Sequence, residues 1–84
     1  MSCPTILIAD DEQAILIHVA DVVENNGYLA KRLVSGREVL ATVATKIPDI
    51  IILNWNIPEM GGLETLKRLK ANLAVDPTKV SAEK

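Results

Sequence analysis

The run from Ile50 to Leu53 constrains the fold of this chain more than any other stretch. Its large apolar residues put hydrophobic side chains on both faces of a strand, because successive side chains in a strand point to opposite faces. A strand that is apolar on both faces is typical of the centre of a parallel sheet covered by helices on each side. The run therefore predicts a layered α/β fold in which this strand is central.

The segments before this run alternate between strand and helix patterns. Thr5 to Ala9 is a short β-branched run that predicts a first strand. Gln13 to Asn26 carries apolar residues at intervals of three and four, which predicts a first helix, and Gly27 supplies a left-handed end. Tyr28 to Val34 alternates more loosely and predicts a second, more exposed strand.

Two more helices and a short strand are predicted from local signals. Ser35 followed by Glu38 is a capping box, so a second helix is expected to begin there and to run towards Pro48. The third helix is predicted by an apolar stripe and an opposite basic face, namely Leu63, Leu66, Leu69 and Leu73 against Lys67, Arg68 and Lys70. Lys79 to Ala82 could form the stub of a fourth strand.

This order of elements predicts an α/β, doubly wound parallel sheet of three strands and three helices, with a possible fourth strand. At 84 residues the chain is expected to form a single domain over residues 1–84, because a second core could not be enclosed. Ligands of such sheets bind beyond the carboxyl ends of the strands, where the helix directions diverge. Candidate functional residues are therefore sought at those ends.

Composition and charge exclude several classes of protein. No segment approaches the roughly 20 apolar residues that a membrane-spanning helix needs, and the first residues lack the charged and apolar pattern of a signal peptide. The net charge is -2 with both signs interspersed, so no basic patch for a phosphate backbone is present. These features predict a cytoplasmic protein without a membrane or nucleic-acid partner.

Polar side chains follow two of the predicted strands. Asp10 and Asp11 end the first strand, and Asn54 ends the central one. An oxygen-rich pocket of this kind suits Mg²⁺, which binds through a few carboxylates and waters. Because Asn54 is neutral, we expect the affinity for the cation to be weakened. A plainer interpretation is that the two acids cap the helix that follows them, since a helix N-terminus favours negative charge.

Two stretches resemble the receiver domain of response regulators. The first runs from Ile6 to Glu12, and the second from Pro48 to Glu64 keeps the family's spacing of Pro58, Met60 and Gly62. The resemblance covers nearly the whole chain but stops before the fifth strand and the last two helices of the family's domain. It implies a flavodoxin-like fold, here partial.

The resemblance also implies roles for individual residues. Asp10 and Asp11 match the family's Mg²⁺-binding acids, and Asn56 matches the position whose backbone carbonyl completes the metal site. Asn54 stands at the position of the phosphate-accepting aspartate. Ser81 matches the hydroxyl at the end of the fourth strand that senses the phosphoryl group.

The implied function is signal transduction in a two-component phosphorelay, with a histidine kinase or an output domain as partner. An amide is a poor nucleophile, so Asn54 is expected to make the receiver non-phosphorylatable. Gly61 replaces a second acid of the same loop, which favours a degenerate receiver that acts through protein contacts. No enzymatic activity is expected, because no nucleophile, base and oxyanion donor occur together.

Other interpretations stay open at this point. The chain could be a structural oligomerisation unit, or a truncated or engineered variant of a phosphorylatable response regulator. A sheet that stops after a fourth-strand stub would leave an open edge, so we expect completion by homodimerisation. Trp55 is interpreted as a packing residue rather than a ligand-stacking one, and His18 as a surface residue of the first helix.

Overall fold

The computed structural model describes residues 4–57, 60–72 and 74–83. The strands and helices in these ranges are β1 (Thr5–Ala9), α1 (Gln13–Asn25), β2 (Leu29–Leu33), α2 (Gly36–Thr45), β3 (Ile50–Asn54), α3 (Gly61–Ala71) and β4 (Val80–Glu83). A short 3-10 helix, Pro77–Lys79, leads into β4. Within the described ranges, none of the helices has the length and apolar character that crossing a membrane requires.

The strands form one parallel sheet in the order β2-β1-β3-β4. Leu7 of β1 is in register with Lys31 of β2 on one side and with Ile51 of β3 on the other. Ile51 in turn is in register with Val80 of β4. The predicted parallel α/β sheet is confirmed, the expected stub is a fourth paired strand, and β3 has a neighbour on each side as its apolar run predicted.

Helices cover both faces of the sheet, and each face has its own apolar core. On one face α1 packs over β1, and the buried residues are Ile6, Ile8, Leu16 and Ala20. On the other face α2 and α3 pack over the sheet, and the buried residues include Leu7, Leu33, Val39, Val43, Ile51, Leu53 and Leu69. The doubly wound arrangement is thus present in this part of the chain.

The second helix begins as the capping box predicts but ends earlier than expected. Ser35 Oγ accepts a hydrogen bond from the backbone N–H of Glu38 at 3.2 Å. The helix stops at Thr45, and Lys46 is already extended. Pro48 disfavours a helical conformation for the residue before it, so the helix could not include Ile47, which is 39% exposed.

The buried face of α3 differs from the predicted leucine stripe. Its buried residues are Gly62, Thr65 and Leu69, whereas Leu63 is 48% exposed. The helix is rotated because Gly62 lies against the backbone that follows β3, where a Cβ would come within 2.5 Å of Trp55 Cα. Lys67, Arg68 and Lys70 are exposed as predicted, and Leu73 lies outside the described residues.

Candidate functional site

The carboxyl ends of β1 and β3 lie side by side and bring two of the predicted site residues together. Ala9 is in register with Leu53, so the next residue of each strand end, Asp10 and Asn54, faces the same edge of the sheet. The side chain of Asp10 is buried and that of Asn54 is half-buried, whereas Asp11 is exposed. The strand-end placement expected from the sequence is therefore what the structure has.

A chain of hydrogen bonds runs through the site. Asn54 Nδ2 donates to Asp10 Oδ2 at 2.9 Å, and Asn54 Oδ1 accepts from the backbone N–H of Asn56 at 2.8 Å. Asp10 Oδ1 accepts from the backbone N–H of Glu12 at 2.9 Å, directly before α1. The backbone N–H of Asp10 donates to the carbonyl of Leu33 at the end of β2. The site thus joins three strand ends and the start of a helix.

Burial and hydrogen bonding act in opposite directions on the carboxyl of Asp10. Burial alone raises its pKa, because a charged group is costly to desolvate. The hydrogen bonds from Asn54, Glu12 and Asp11 together outweigh that effect, and the pKa of Asp10 lies below its usual value. Asp10 is therefore an ionised carboxylate at neutral pH.

The orientation of the Asn54 amide follows from its two partners. An ionised carboxylate can only accept a hydrogen bond, so the amide nitrogen must face Asp10. A backbone N–H can only donate, so the amide oxygen must face Asn56. Reversing the amide would place its oxygen against the carboxylate of Asp10 and its nitrogen against the N–H of Asn56, so both hydrogen bonds would be lost. The side chain is consequently held in one orientation.

The oxygen atoms at these strand ends are engaged in hydrogen bonds within the site. Among residues 4–57, 60–72 and 74–83, no three His, Cys, Asp or Glu side chains lie close enough together to hold a metal ion. Asp10 Oδ1 accepts from the backbone N–H of Glu12, and Asp10 Oδ2 accepts from the amide nitrogen of Asn54. An oxygen-rich Mg²⁺ pocket would need that contact to open.

The remaining predicted site residues lie further from this cluster or beyond it. Ser81 is in register with Ile52, and Glu83 is the residue of β4 in register with Asn54. Two residues of strand correspond to about 6.6 Å, so Ser81 lies below the level of the site. Its switch role stays a prediction. Pro58 lies outside the described residues.

The turn into α3 contains geometry that the sequence did not reveal. Met60 has a φ of 115°, a left-handed conformation that non-glycine residues rarely adopt, and Gly61 follows with a φ of 66°. The backbone N–H of Gly62 donates to the carbonyl of Trp55 at 2.9 Å. Glycine adopts such a φ readily at position 61, but no local pattern in the sequence marks Met60.

Comparison with known proteins gives consistent matches. Residues 6–82 match the family described as "Response regulator receiver domain". The chain is 38% identical over 65 residues to sporulation initiation phosphotransferase F of Bacillus subtilis (strain 168), covering 77% of this chain and 52% of that protein. It is 37% identical over 73 residues to phosphate regulon transcriptional regulatory protein PhoB of Pseudomonas aeruginosa, covering 86% of this chain and 32% of that protein.

Solved structures match over nearly the whole chain. The N-terminal domain of a response regulator receiver protein from Methanoculleus marisnigri JR1 superposes with a TM-score of 0.85 at 32% identity, covering 96% of this chain and 66% of that one. The signal receiver domain of a signal transduction histidine kinase from Syntrophus aciditrophicus gives a TM-score of 0.88 at 28% identity, covering 95% of this chain and 61% of that one. The chain therefore spans less than the full length of the proteins that it matches.

Proposed function

Because this chain belongs to the response regulator receiver domain family, we propose that it is a receiver module of two-component signalling that takes up no phosphoryl group at Asn54. It acts instead through protein contacts. The observation that carries this proposal is the amide of Asn54 at the end of β3, whose nitrogen is hydrogen-bonded to the carboxylate of Asp10.

The chemistry of the side chain supports the proposal. Attack on phosphorus needs an oxygen or nitrogen with an available electron pair, and the lone pair of an amide nitrogen is delocalised into the carbonyl. Asn54 Nδ2 donates to Asp10, and Asn54 Oδ1 accepts from Asn56. Both polar atoms of the side chain are thus already used in hydrogen bonds within the site.

The names of the relatives suggest which partners to test. They include a phosphotransferase, a transcriptional regulator and the receiver of a histidine kinase. We therefore propose that this chain, as a receiver domain over residues 1–84, makes contacts with a histidine kinase or an output domain. It would act by competing with an intact receiver, in the cytoplasm and without a nucleic-acid or membrane partner.

The mass of the intact chain tests the absence of phosphoryl uptake. Wild type and Asn54→Asp are incubated with acetyl phosphate and millimolar Mg²⁺, and each is weighed by mass spectrometry. We expect no added phosphoryl group on the wild type. A wild-type chain that gains one phosphoryl group contradicts the proposal, because another side chain would then have replaced Asn54 as the acceptor.

Kinase competition tests the proposed mode of action. A histidine kinase from the source organism is allowed to phosphorylate itself with radiolabelled ATP. The rate of phosphoryl transfer to its own receiver is then measured with and without an excess of this chain. Slower transfer to the receiver, without label on this chain, is expected for at least one kinase. No effect on any kinase of the organism would favour a purely structural role.

A homodimer is the second candidate, and a specific surface favours it. On the α1 face of the sheet, Ile50 and Ile52 are only partly buried, and Val22 of α1 is 50% exposed. Within the described residues β4 has β3 as its one strand neighbour. A second copy could pair with this edge and cover the apolar surface. A structural oligomerisation unit would use the same contact.

Sequencing the parent gene would show whether the chain is a truncated or engineered form.

A further inference from the structure

We propose that the amide of Asn54 takes the structural place of a divalent cation, linking the ends of β1 and β3 directly, so that the folded chain neither needs nor binds Mg²⁺ at this site. This inference deepens the proposed function, on which it rests for the assignment of Asn54 to the acceptor position. It concerns what holds the site together rather than whether a phosphoryl group is taken up.

The first step is the position of the amide nitrogen. Asn54 Nδ2 lies 2.9 Å from Asp10 Oδ2 and presents a hydrogen to it. A cation that used this carboxylate oxygen to join the two strand ends would compete with the amide for the same atom. The amide supplies partial positive charge at that point and fills the space with a directed hydrogen bond.

The second step is the cost of admitting a cation. If the side chain of Asn54 turned so that its oxygen faced a cation beside Asp10, the hydrogen bonds to both Asp10 and Asn56 would break. Asn54 Nδ2 would then face the backbone N–H of Asn56, and two donors would oppose each other. Mg²⁺ gives up its waters reluctantly. A neutral amide that loses two hydrogen bonds when it turns towards the cation is therefore a weak competitor for a water ligand.

The third step is what the link does for the fold. The side chain of Asp10 accepts a hydrogen bond from the backbone N–H of Glu12 before α1, and its backbone N–H donates one to the carbonyl of Leu33 in β2. The bond from Asn54 adds the end of β3 to this group. An aspartate at position 54 would instead place a third negative charge beside Asp10 and Asp11, and a bound cation would relieve the repulsion among them.

Thermal unfolding of the full chain, with and without millimolar Mg²⁺, tests the proposal. We compare wild type, Asn54→Asp, Asn54→Ala and, as a matched control for the same chemical change at an exposed site, Asn25→Ala. We expect no Mg²⁺ effect on wild type or Asn25→Ala. Without Mg²⁺, both Asn54 variants should unfold at a lower temperature than wild type. Mg²⁺ should raise the unfolding midpoint of Asn54→Asp alone, by about 4–8 °C.

Two outcomes would overturn the proposal. One is a wild-type midpoint that Mg²⁺ raises as much as that of Asn54→Asp, because a cation would then bind despite the amide. The other is an Asn54→Ala chain as stable as wild type, because the link would then contribute nothing.

A second measurement needs no variant to fold. Mg²⁺ is titrated into ¹⁵N-labelled wild type while the side-chain NH₂ resonances of Asn54 and the backbone resonances of Glu12 and Asn56 are followed. Unchanged positions support the link, and saturable shifts sink it. Phosphoryl uptake is scored separately by mass, so a chain that binds Mg²⁺ but takes up no phosphoryl group would refute only the link. A chain that takes up phosphate while its Asn54 resonances ignore Mg²⁺ would refute only the proposed function.

Discussion

Gly62 shows how the space around a single residue decides the local geometry. A Cβ at this position would come within 2.5 Å of Trp55 Cα and 2.8 Å of the carbonyl oxygens of Asn54 and Trp55. Because these neighbours are backbone atoms, they cannot rotate away. The start of α3 can therefore approach the end of β3 only where the helix carries no side chain.

We predict that Gly62→Ala lowers the free energy of unfolding by about 1–3 kcal/mol, as overpacking of a filled site does. Urea denaturation measures the change. Gly61→Ala is the comparison, since an added Cβ there meets open space and the strain comes only from a φ of 66°. A Gly62→Ala chain as stable as wild type would show that the two backbones do not approach this closely.

Two leucines of α3 give a second prediction at the level of residues. Leu69 is fully buried, whereas Leu63 is 48% exposed on the same helix. Leu69→Ala should cost about 2–5 kcal/mol of unfolding free energy, because it removes buried apolar surface and leaves a cavity. Leu63→Ala changes the same atoms and should stay within about 0.5 kcal/mol. Equal losses in the two variants, measured by urea denaturation, would mean that the buried face of α3 is the stripe through Leu63.

These residues also show where inference from the sequence reaches its limit. The meeting of Asp10 and Asn54 was predictable, because the carboxyl ends of adjacent parallel strands share one edge of the sheet. The burial of Leu69 was predictable from helical spacing, but the exposure of Leu63 was not. That exposure depends on the contact between Gly62 and Trp55, which belong to different elements.

Among the secondary structure elements, α2 owes its start to local chemistry. Ser35 Oγ accepts from the N–H of Glu38, and Glu38 Oε2 accepts from Ser35 Oγ at 3.2 Å. Ser35→Ala should lower the free energy of unfolding by about 1 kcal/mol, because it leaves a helix N–H without a partner. Glu38→Gln keeps an acceptor and should cost less. If the two variants lose the same amount by urea denaturation, the hydroxyl of Ser35 is not what caps the helix.

The 3-10 helix before β4 gives a prediction about pH. Asp76 Oδ1 accepts hydrogen bonds from the hydroxyl and the backbone N–H of Thr78, at 2.7 Å and 2.9 Å. The hydroxyl bond is the main reason why the pKa of Asp76 lies below its ordinary value of 3.8. Since folding depresses this pKa, the stabilisation from Asp76 is present above 3.8 and disappears as the pH falls through the folded value.

An NMR titration of the side-chain carboxyl of Asp76 tests this assignment. The midpoint in wild type should fall below 3.8 and should rise towards it in Thr78→Ala, which keeps the backbone donor but loses the hydroxyl. A wild-type midpoint at or above the ordinary value would refute the turn at Asp76.

The existence of the three α-helices and of β1, β2 and β3 was predictable, because each depends on its own residues. Their exact ends depended on neighbours: the break before Pro48 shortened α2. The fourth strand was only a possibility in the sequence, since Val80–Glu83 has too few apolar residues to signal a strand alone. Its pairing with β3 supplies what its own composition does not.

For the molecule as a whole, the α1 face of the sheet is unevenly covered. Ile6 and Ile8 of β1 are buried beneath α1, while Ile50 and Ile52 of β3 are only partly buried. Ser81 of β4 is in register with Ile52, so it extends the same face towards the edge of the sheet, and it is exposed. Strand order and helix placement produce this surface, which no single segment of the sequence could have revealed.

We therefore predict that the chain is a homodimer in solution, formed through the β4 edge and the apolar surface beside it. Sedimentation equilibrium on the purified chain measures its mass. Ser81→Lys places a charge on that surface and should give a monomer, whereas Ala44→Lys adds the same charge to an exposed position of α2 and should leave the dimer intact. A monomeric wild type would remove the homodimer. A dimer that survives Ser81→Lys would place the interface elsewhere and leave the edge of β4 without an assigned partner.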